Sequence, residues 1–399
     1  MKIEILTGGI CAAKGVEAFG IKEGKNGLTL IKGKGTAAGA FSVNKLRAAP
    51  TEFTAQQVVN GRLSAVIANS GCANSFTGEQ GMQNAERMAE LAATALNVQK
   101  EEVAVLSTGS IGTQLDMALI ERQLGEVVTG LTSNEEGSTA AARGIMTTDT
   151  FPKEVAIRVE TESGGSVVIG GIAKGSGMIA PHMNTATMLA FIYTDAKLDA
   201  DTLRRCLQDA VDDSFNMVLV DGDMSTNDSV LVVATGQSGS IGEEEFKVAV
   251  TFVCQALAKM MARDGEGATK FVEVTVRGAQ SSSDAREAAQ AIVRSPLIKS
   301  AVFGERLDLV CGRIVAALGS AHIAGEIDQN KLAISVKGAD KEVLAVENGL
   351  FIELPESARS IMKAKELFFT VDLGMDGGAE ATAWGCDLSY DYVKINAAY

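Results

Sequence analysis

The stretch GGIAKGSGMIAPHMNTATMLAFIYTDA, residues 170–196, decides how the rest of the chain is read. It joins a glycine-rich turn carrying Lys174 to an apolar run that begins at Thr187. The glycines let the chain turn sharply, and Pro181 fixes a further bend. The run Met188-Leu-Ala-Phe-Ile-Tyr193 is short and has no polar alternation, which predicts a strand buried on both faces. A threonine at the mouth of such a strand, just after a strained turn with a lysine, is a nucleophile position. Its plainer reading is a β-branched residue that starts a strand.

Outward from this stretch, strand and helix signals alternate. Strands are expected at Leu28–Lys32, Ser64–Asn69 and Glu102–Ser107, and a glycine turn at Gly33–Gly39. That turn fits neither nucleotide-binding spacing. Gly81–Leu96 has apolar residues at helical spacing, and further helices are expected near Met117–Leu131 and Ser138–Ile145. Glu154–Thr161 and Ser166–Ala173, joined by Glu162-Ser-Gly-Gly165, read as a hairpin that delivers the chain to the organising stretch. Beyond it, Leu198–Asp201 caps a helix to about Phe215. A strand at Val230–Thr235 and a helix at Glu243–Ala262 follow, then a strand at Phe271–Val276 and a helix at Ser282–Arg294. Later strands are expected near Leu332–Val336, Phe351–Leu354 and Phe368–Leu373. The fold class is mixed α/β, with layered sheets and flanking helices.

A chain of 399 residues can bury a large core. Its net charge of −14 argues against nucleic acid or an anionic membrane as partner, because both need a basic face. The six cysteines lie far apart with no C-x-x-C pair, so zinc or iron–sulfur ligation is unsupported and a reduced, cytoplasmic protein is the simpler reading. With only His182 and His322, a serine–histidine triad has little choice of base. The N-terminus lacks the pattern of a secretory signal, and no window is long and apolar enough to span a membrane. The carboxylates of Asp221–Asp228 alternate as in a calcium loop but lack the glycine and terminal glutamate that spacing needs.

Lys174-Gly-Ser-Gly-Met-Ile-Ala-Pro181, followed by Ala186-Thr-Met-Leu-Ala-Phe191, resembles the self-processing site of the ornithine acetyltransferase family. Gly33–Gly39, Asn69-Ser-Gly-Cys-Ala-Asn74, Ser107-Thr-Gly-Ser-Ile-Gly112, Asp264-Gly-Glu-Gly-Ala-Thr-Lys270 and the closing Ala383–Asn396 are similar to further segments of that family, in order along almost the whole chain. Three departures accompany the match. The turn before the nucleophile is two residues longer, so that counting from Lys174 selects Thr185 while the Ala-Thr-Met-Leu-Ala-Phe string selects Thr187. The buried strand favours Thr187, since a turn absorbs an insertion. An Asp-Pro-Asn-Trp-Gly-Arg segment of relatives appears only as Leu307–Arg313, expected as a loop of different shape. Relatives also carry a terminal Thr or Ser about two residues past the position of Tyr399.

The resemblance implies a chain that cuts itself between Ala186 and Thr187 into fragments 1–186 and 187–399, which share a DmpA-like layered fold and assemble as a heterotetramer or larger. It implies Thr187 as nucleophile and Thr108 with the Gly109 amide as oxyanion donors. Thr148, Lys174, Thr187, Glu266 and Asn396 become substrate contacts, with Thr147 and Thr150 competing for the place of Thr148. Without it, Thr108–Gly109 reads as a strand-to-helix turn, Lys174 as a solvated turn lysine, Glu266 as helix punctuation and His182 as a surface residue. The implied reaction moves acetyl from N²-acetylornithine to glutamate through acetyl-Thr187, in arginine synthesis, with no cofactor and no metal. Whether acetyl-coenzyme A is a second donor stays open. The alternative is an N-terminal-nucleophile amidohydrolase or aminopeptidase of related fold, with water as acceptor.

Overall fold

A computed structural model describes residues 1–162, 164–180 and 188–398. In chain order the elements are β1 (Lys2–Leu6), β2 (Glu17–Glu23), β3 (Asn26–Phe41), α1 (Ala49–Val58), β4 (Arg62–Cys72), α2 (Gly78–Leu96), β5 (Val103–Ser110), α3 (Met117–Gly130) and α4 (Glu135–Gly144). They continue as β6 (Lys153–Glu160), β7 (Ser166–Lys174), β8 (Leu189–Thr194), α5 (Ala200–Asp212), β9 (Val218–Leu219), β10 (Ser229–Ala234), α6 (Glu243–Arg263), β11 (Phe271–Ala279) and α7 (Ser282–Arg294). The remainder is α8 (Pro296–Phe303), α9 (Leu307–Ser320), β12 (Ala333–Gly338), β13 (Lys341–Glu347), β14 (Leu350–Phe351), β15 (Glu366–Asp372), β16 (Ala379–Cys386) and α10 (Tyr390–Ala398).

Two compact units emerge. The first comprises Met1–Gly175, Pro181–Asn216 and Met224–Leu257; the second Ser176–Ala180, Met217–Asp223 and Ala258–Tyr399. These units are not the two fragments expected from the sequence. The boundary between Ala186 and Thr187 is a proposed covalent cut, and it lies outside the described residues, as do His182 and Thr185.

The first unit is built on a mixed sheet in the order β1-β6-β7-β8-β10-β3-β4-β5, with β2 paired to β3. β8 lies inside it, antiparallel to β7 and parallel to β10. Every β8 residue is buried, as a strand covered on both faces requires. One face packs Tyr193, Phe191, Ile31 and Leu231. Against Leu28, Leu30 and Ile67, α2 presses Met88 and Ala92, and α3 contributes Ile120 and Leu124. α2 stops at Asn97, whose left-handed backbone (φ 53°) turns its amide back to the Ala93 and Thr94 carbonyls. The hairpin forms as expected, Glu160 opposite Ser166.

The expected turn at Gly33–Gly39 does not exist: these residues lie inside β3. Glycine is there for close approach, since a side chain on Gly33 would strike the Tyr193 ring and one on Gly35 the backbone of Ala234. Lys174 is likewise no turn residue; it ends β7 in register with Leu189.

In the second unit the sheet order is β14-β13-β12-β15-β11-β16-β9. α7 begins where the sequence places it, capped by the Ser281 side chain accepting from the Asp284 amide. The expected loop at Leu307–Arg313 is instead the start of α9, its apolar residues Leu307, Val310, Cys311 and Ile314 buried on one face. Among the described residues no helix is long and apolar enough to cross a membrane.

Candidate active site

Thr187 and Ala186 lie outside the described residues, so the site is built from what surrounds them in sequence and sheet. In the first unit, β4 and β5 run parallel with Gly71 opposite Gly109, and the register shifts at Cys72. Gly109 has φ 131°, and a Cβ there would run into the backbone of Gly71 and Cys72, so only glycine fits. Thr108, just before it, is buried. Its hydroxyl accepts from Lys174 Nζ at 3.3 Å. The sheet order thus brings together two residues expected from the sequence. Lys174 is 3 % exposed, which excludes a solvated turn lysine.

Sequence reading missed the group that organises this lysine. Asp149, in the loop after α4, is buried and accepts from Lys153 Nζ at 2.7 Å and from the Gly175 amide at 2.8 Å. Burial pushes its carboxyl up, but the charges of Lys174 and Lys153, with the bonds from Lys153 and Gly175, outweigh that and hold it at about 2. Asp149 is therefore a fixed carboxylate that clamps the chain just past Lys174. Lys22 completes the group, donating to Ser70 Oγ at 2.8 Å and to the Met146 carbonyl. Burial lowers its ammonium to about 8, with Asp149 opposing and Lys174 adding to the fall. Thr148 is half-buried beside Asp149, as is Thr147, whose amide donates to Asp149 Oδ2 at 3.0 Å, while Thr150 is exposed. The sequence marks Asp149 only by its place in the Met146-Thr-Thr-Asp-Thr150 string.

The second unit carries Glu266 and Asn396. Glu266 is buried in the loop after α6, where its amide donates to the Ser176 carbonyl at 3.1 Å. Asn396, on exposed α10, donates from Nδ2 to Glu266 Oε2 at 2.7 Å. The structure thus brings together two residues expected as substrate contacts. Asp221 accepts from the amides of Met178 at 2.6 Å and Ile179 at 2.9 Å. Burial, ahead of those bonds, raises its carboxyl. Tyr392 is raised by burial and then by the negative charges of Asp221, Glu266 and Asp223, so its hydroxyl keeps its proton. Among the described residues no group of His, Cys, Asp and Glu could hold a metal ion.

A hydroxyl beside a glycine amide with positive φ, charged from behind by a buried lysine, is a chemistry of acyl groups: it can place donors on an oxyanion. A family model described as the ArgJ family matches residues 13–399. The glutamate N-acetyltransferase of Methanosarcina acetivorans is 49% identical over 401 residues, 99% of each chain. The arginine biosynthesis bifunctional protein ArgJ of Symbiobacterium thermophilum is 46% identical over 413 residues, 100% of each. The ornithine acetyltransferase of Mycobacterium tuberculosis, solved with ornithine, is 36% identical over 46% of this chain and 100% of that one, with a TM-score of 0.42. This chain is an acyltransferase enzyme of arginine biosynthesis. It belongs to the ArgJ family.

Proposed function

We propose that the chain cuts itself before Thr187 and then carries acetyl from N²-acetylornithine to glutamate as an ester on the Thr187 hydroxyl. The observation that carries this reading is the buried contact of Lys174 with Thr108, on the strand that pairs with β8 two residues beyond Thr187. In self-cleavage Thr187 Oγ attacks the Ala186 carbonyl; the C–N bond gives way to a C–O ester, the hydroxyl proton ends on nitrogen, and water opens the ester. The freed α-amine, of reference pKa about 7.7–8.0, is a base near neutral pH. It takes the hydroxyl proton as Thr187 attacks the acetyl carbonyl and hands it to departing ornithine. Glutamate's neutral amine then takes the acetyl group, and its proton returns to Thr187 Oγ.

Thr108 accepts from the Lys174 ammonium, which leaves its own O–H free to donate to the oxyanion beside the Gly109 amide. Glu266, held by Asn396, receives the ornithine side-chain ammonium, and Thr148 contacts substrate from the Asp149 loop. The cycle uses no cofactor or metal. The two fragments stay together because β7, before the cut, pairs with β8, after it, from Lys174–Leu189 to Ile169–Thr194.

The test is to incubate the purified protein with N²-acetylornithine and glutamate. Acetylglutamate and ornithine in equal amounts support the transfer; free acetate in place of acetylglutamate overturns it in favour of an amidohydrolase. A parallel incubation with acetyl-coenzyme A and glutamate shows whether that donor is used.

A further inference from the structure

Asp228 stands immediately before β10 and is wholly buried, and neither carboxyl oxygen has a hydrogen-bond partner among the described residues. Burying a carboxyl without partners is unfavourable, and far more so once it is ionised. Its place in the sheet is defined. Ser229 pairs with Leu189 in the parallel ladder, and the Ser229 amide donates to the Met188 carbonyl at 3.0 Å. Asp228 therefore lies beside Met188, the residue bonded to Thr187.

The backbone amides of Met188 and Ser225 face the carboxyl without closing a hydrogen bond, and Lys174 of β7 is the charged side chain that acts on it. Burial, the largest influence, holds the acid well above the usual carboxylate range; the Met188 amide, Lys174 and the Ser225 amide pull it down and lose. Lys174 thus acts on two buried acids shifted in opposite directions, Asp149 down and Asp228 up. Paired carboxyls pushed apart by their surroundings take different roles in a site.

Asp149 accepts hydrogen bonds from Lys153 and the Gly175 amide, whereas neither carboxyl oxygen of Asp228 has a hydrogen-bond partner among the described residues. We propose that Asp228 is the proton partner of the amine that self-cleavage frees at Thr187, a neutral acid in the uncut chain and a carboxylate facing an ammonium afterwards. This rests on the reading of Thr187 as the cut site. In the uncut chain the nitrogen of Thr187 is an amide and carries no positive charge, so the acid keeps its proton. After the cut, the O–H bond of the carboxyl breaks and an N–H bond forms on the amine, giving carboxylate and ammonium with no other reactant. Asp228 then acts through the amine as a positioning residue, holding it by charge and setting the pH at which it becomes a free base.

The test uses the full-length protein. In wild type, N-terminal sequencing must find a fragment beginning at Thr187, and the acidic limb of the transfer kcat/KM against pH reports the amine. In Asp228→Asn the neighbouring carboxylate is gone, the ammonium is less favoured, and that limb moves to lower pH by about one unit, with a lower kcat. Asp228→Glu returns the limb toward wild type, which a purely structural role would not do. A second measurement leaves position 228 intact: infrared spectra of the uncut Thr187→Val chain show a carboxylic-acid carbonyl band that cut wild type lacks. An unshifted limb in Asp228→Asn, or the same acid band in cut and uncut protein, overturns the proposal while the cut at Thr187 stands. A wild-type chain that stays whole overturns both.

Discussion

Lys174 at the end of β7 donates to the Thr108 hydroxyl on β5 across 3.3 Å, although 66 residues separate them in sequence. Both are buried, so the charge acts on that hydroxyl with little screening by water. Thr108→Val keeps the shape and removes the proposed oxyanion donor. It is expected to lower kcat by about 10²–10³-fold with KM little changed, the loss seen when one such donor is removed. Steady-state kinetics of acetyl transfer check this; a mainly raised KM would make Thr108 a binding residue instead.

Asp149 joins buried lysines to the Gly175 amide, so Asp149→Asn removes the carboxylate that Lys153 binds and whose charge Lys174 feels. Breaking a buried pair by removing one partner is expected to destabilise the fold by about 3–5 kcal/mol, read from denaturant midpoints. The same carboxyl predicts an acid response. Its folded value of about 2 lies below the ordinary 3.8, so its stabilisation is present above that ordinary value and is lost as pH falls toward 2. Roughly 2 kcal/mol of wild-type stability follows this course, and Asp149→Asn lacks that part of the pH dependence.

Glu266→Gln keeps an oxygen for Asn396 and removes the negative charge. With Glu266 as the seat of the ornithine ammonium, KM for N²-acetylornithine is expected to rise about tenfold or more, the scale of a charged hydrogen bond. The second half-reaction, deacetylation of a preformed acetyl-enzyme by glutamate, serves as the comparison in a rapid-quench experiment. Equal losses in both halves would place Glu266 outside donor recognition.

Thiol reagents should find one cysteine first. Burial pushes Cys11 and Cys254 up to about 12 and Cys206 and Cys311 to about 11, which suppresses the thiolate. Cys72, the last residue of β4, is half-buried, its Sγ 3.2 Å from the Thr113 carbonyl. Native protein at neutral pH, treated with one equivalent of iodoacetamide, is expected to carry the label at Cys72 in peptide mass maps.

The fold was legible where burial follows a simple period. The apolar run of β8, the two-strand hairpin before it and the capped helix α7 all stand within a residue or two of their expected limits. Reading failed where a residue type has two physical uses. The glycines of Gly33–Gly39 signal a turn as readily as a strand pressed by neighbours, and only the Tyr193 ring and the Ala234 backbone decide between them. Leu307–Arg313 looked like an altered loop because a motif was missing, while its own periodicity fits the helix that forms.

The site divides in the same way. Thr108, Gly109, Lys174, Glu266 and Asn396 sit in strings that a family resemblance can mark. Asp149 and Asp228 cannot be picked from a sequence rich in acidic residues, since their states depend on which strands lie beside them. For Asp149 the neighbours are two lysines and an amide; for Asp228 they are two amides and Lys174.

The central claim is that Thr187 becomes the N-terminus and the acetyl carrier. Intact mass with N-terminal sequencing of the purified protein, before and after a brief exposure to N²-acetylornithine without glutamate, tests it most directly. The account predicts two fragments, the second beginning Thr187-Met-Leu-Ala and gaining one acetyl group that glutamate removes. A second fragment beginning at Thr185, or a single uncut chain that still transfers acetyl, would contradict it.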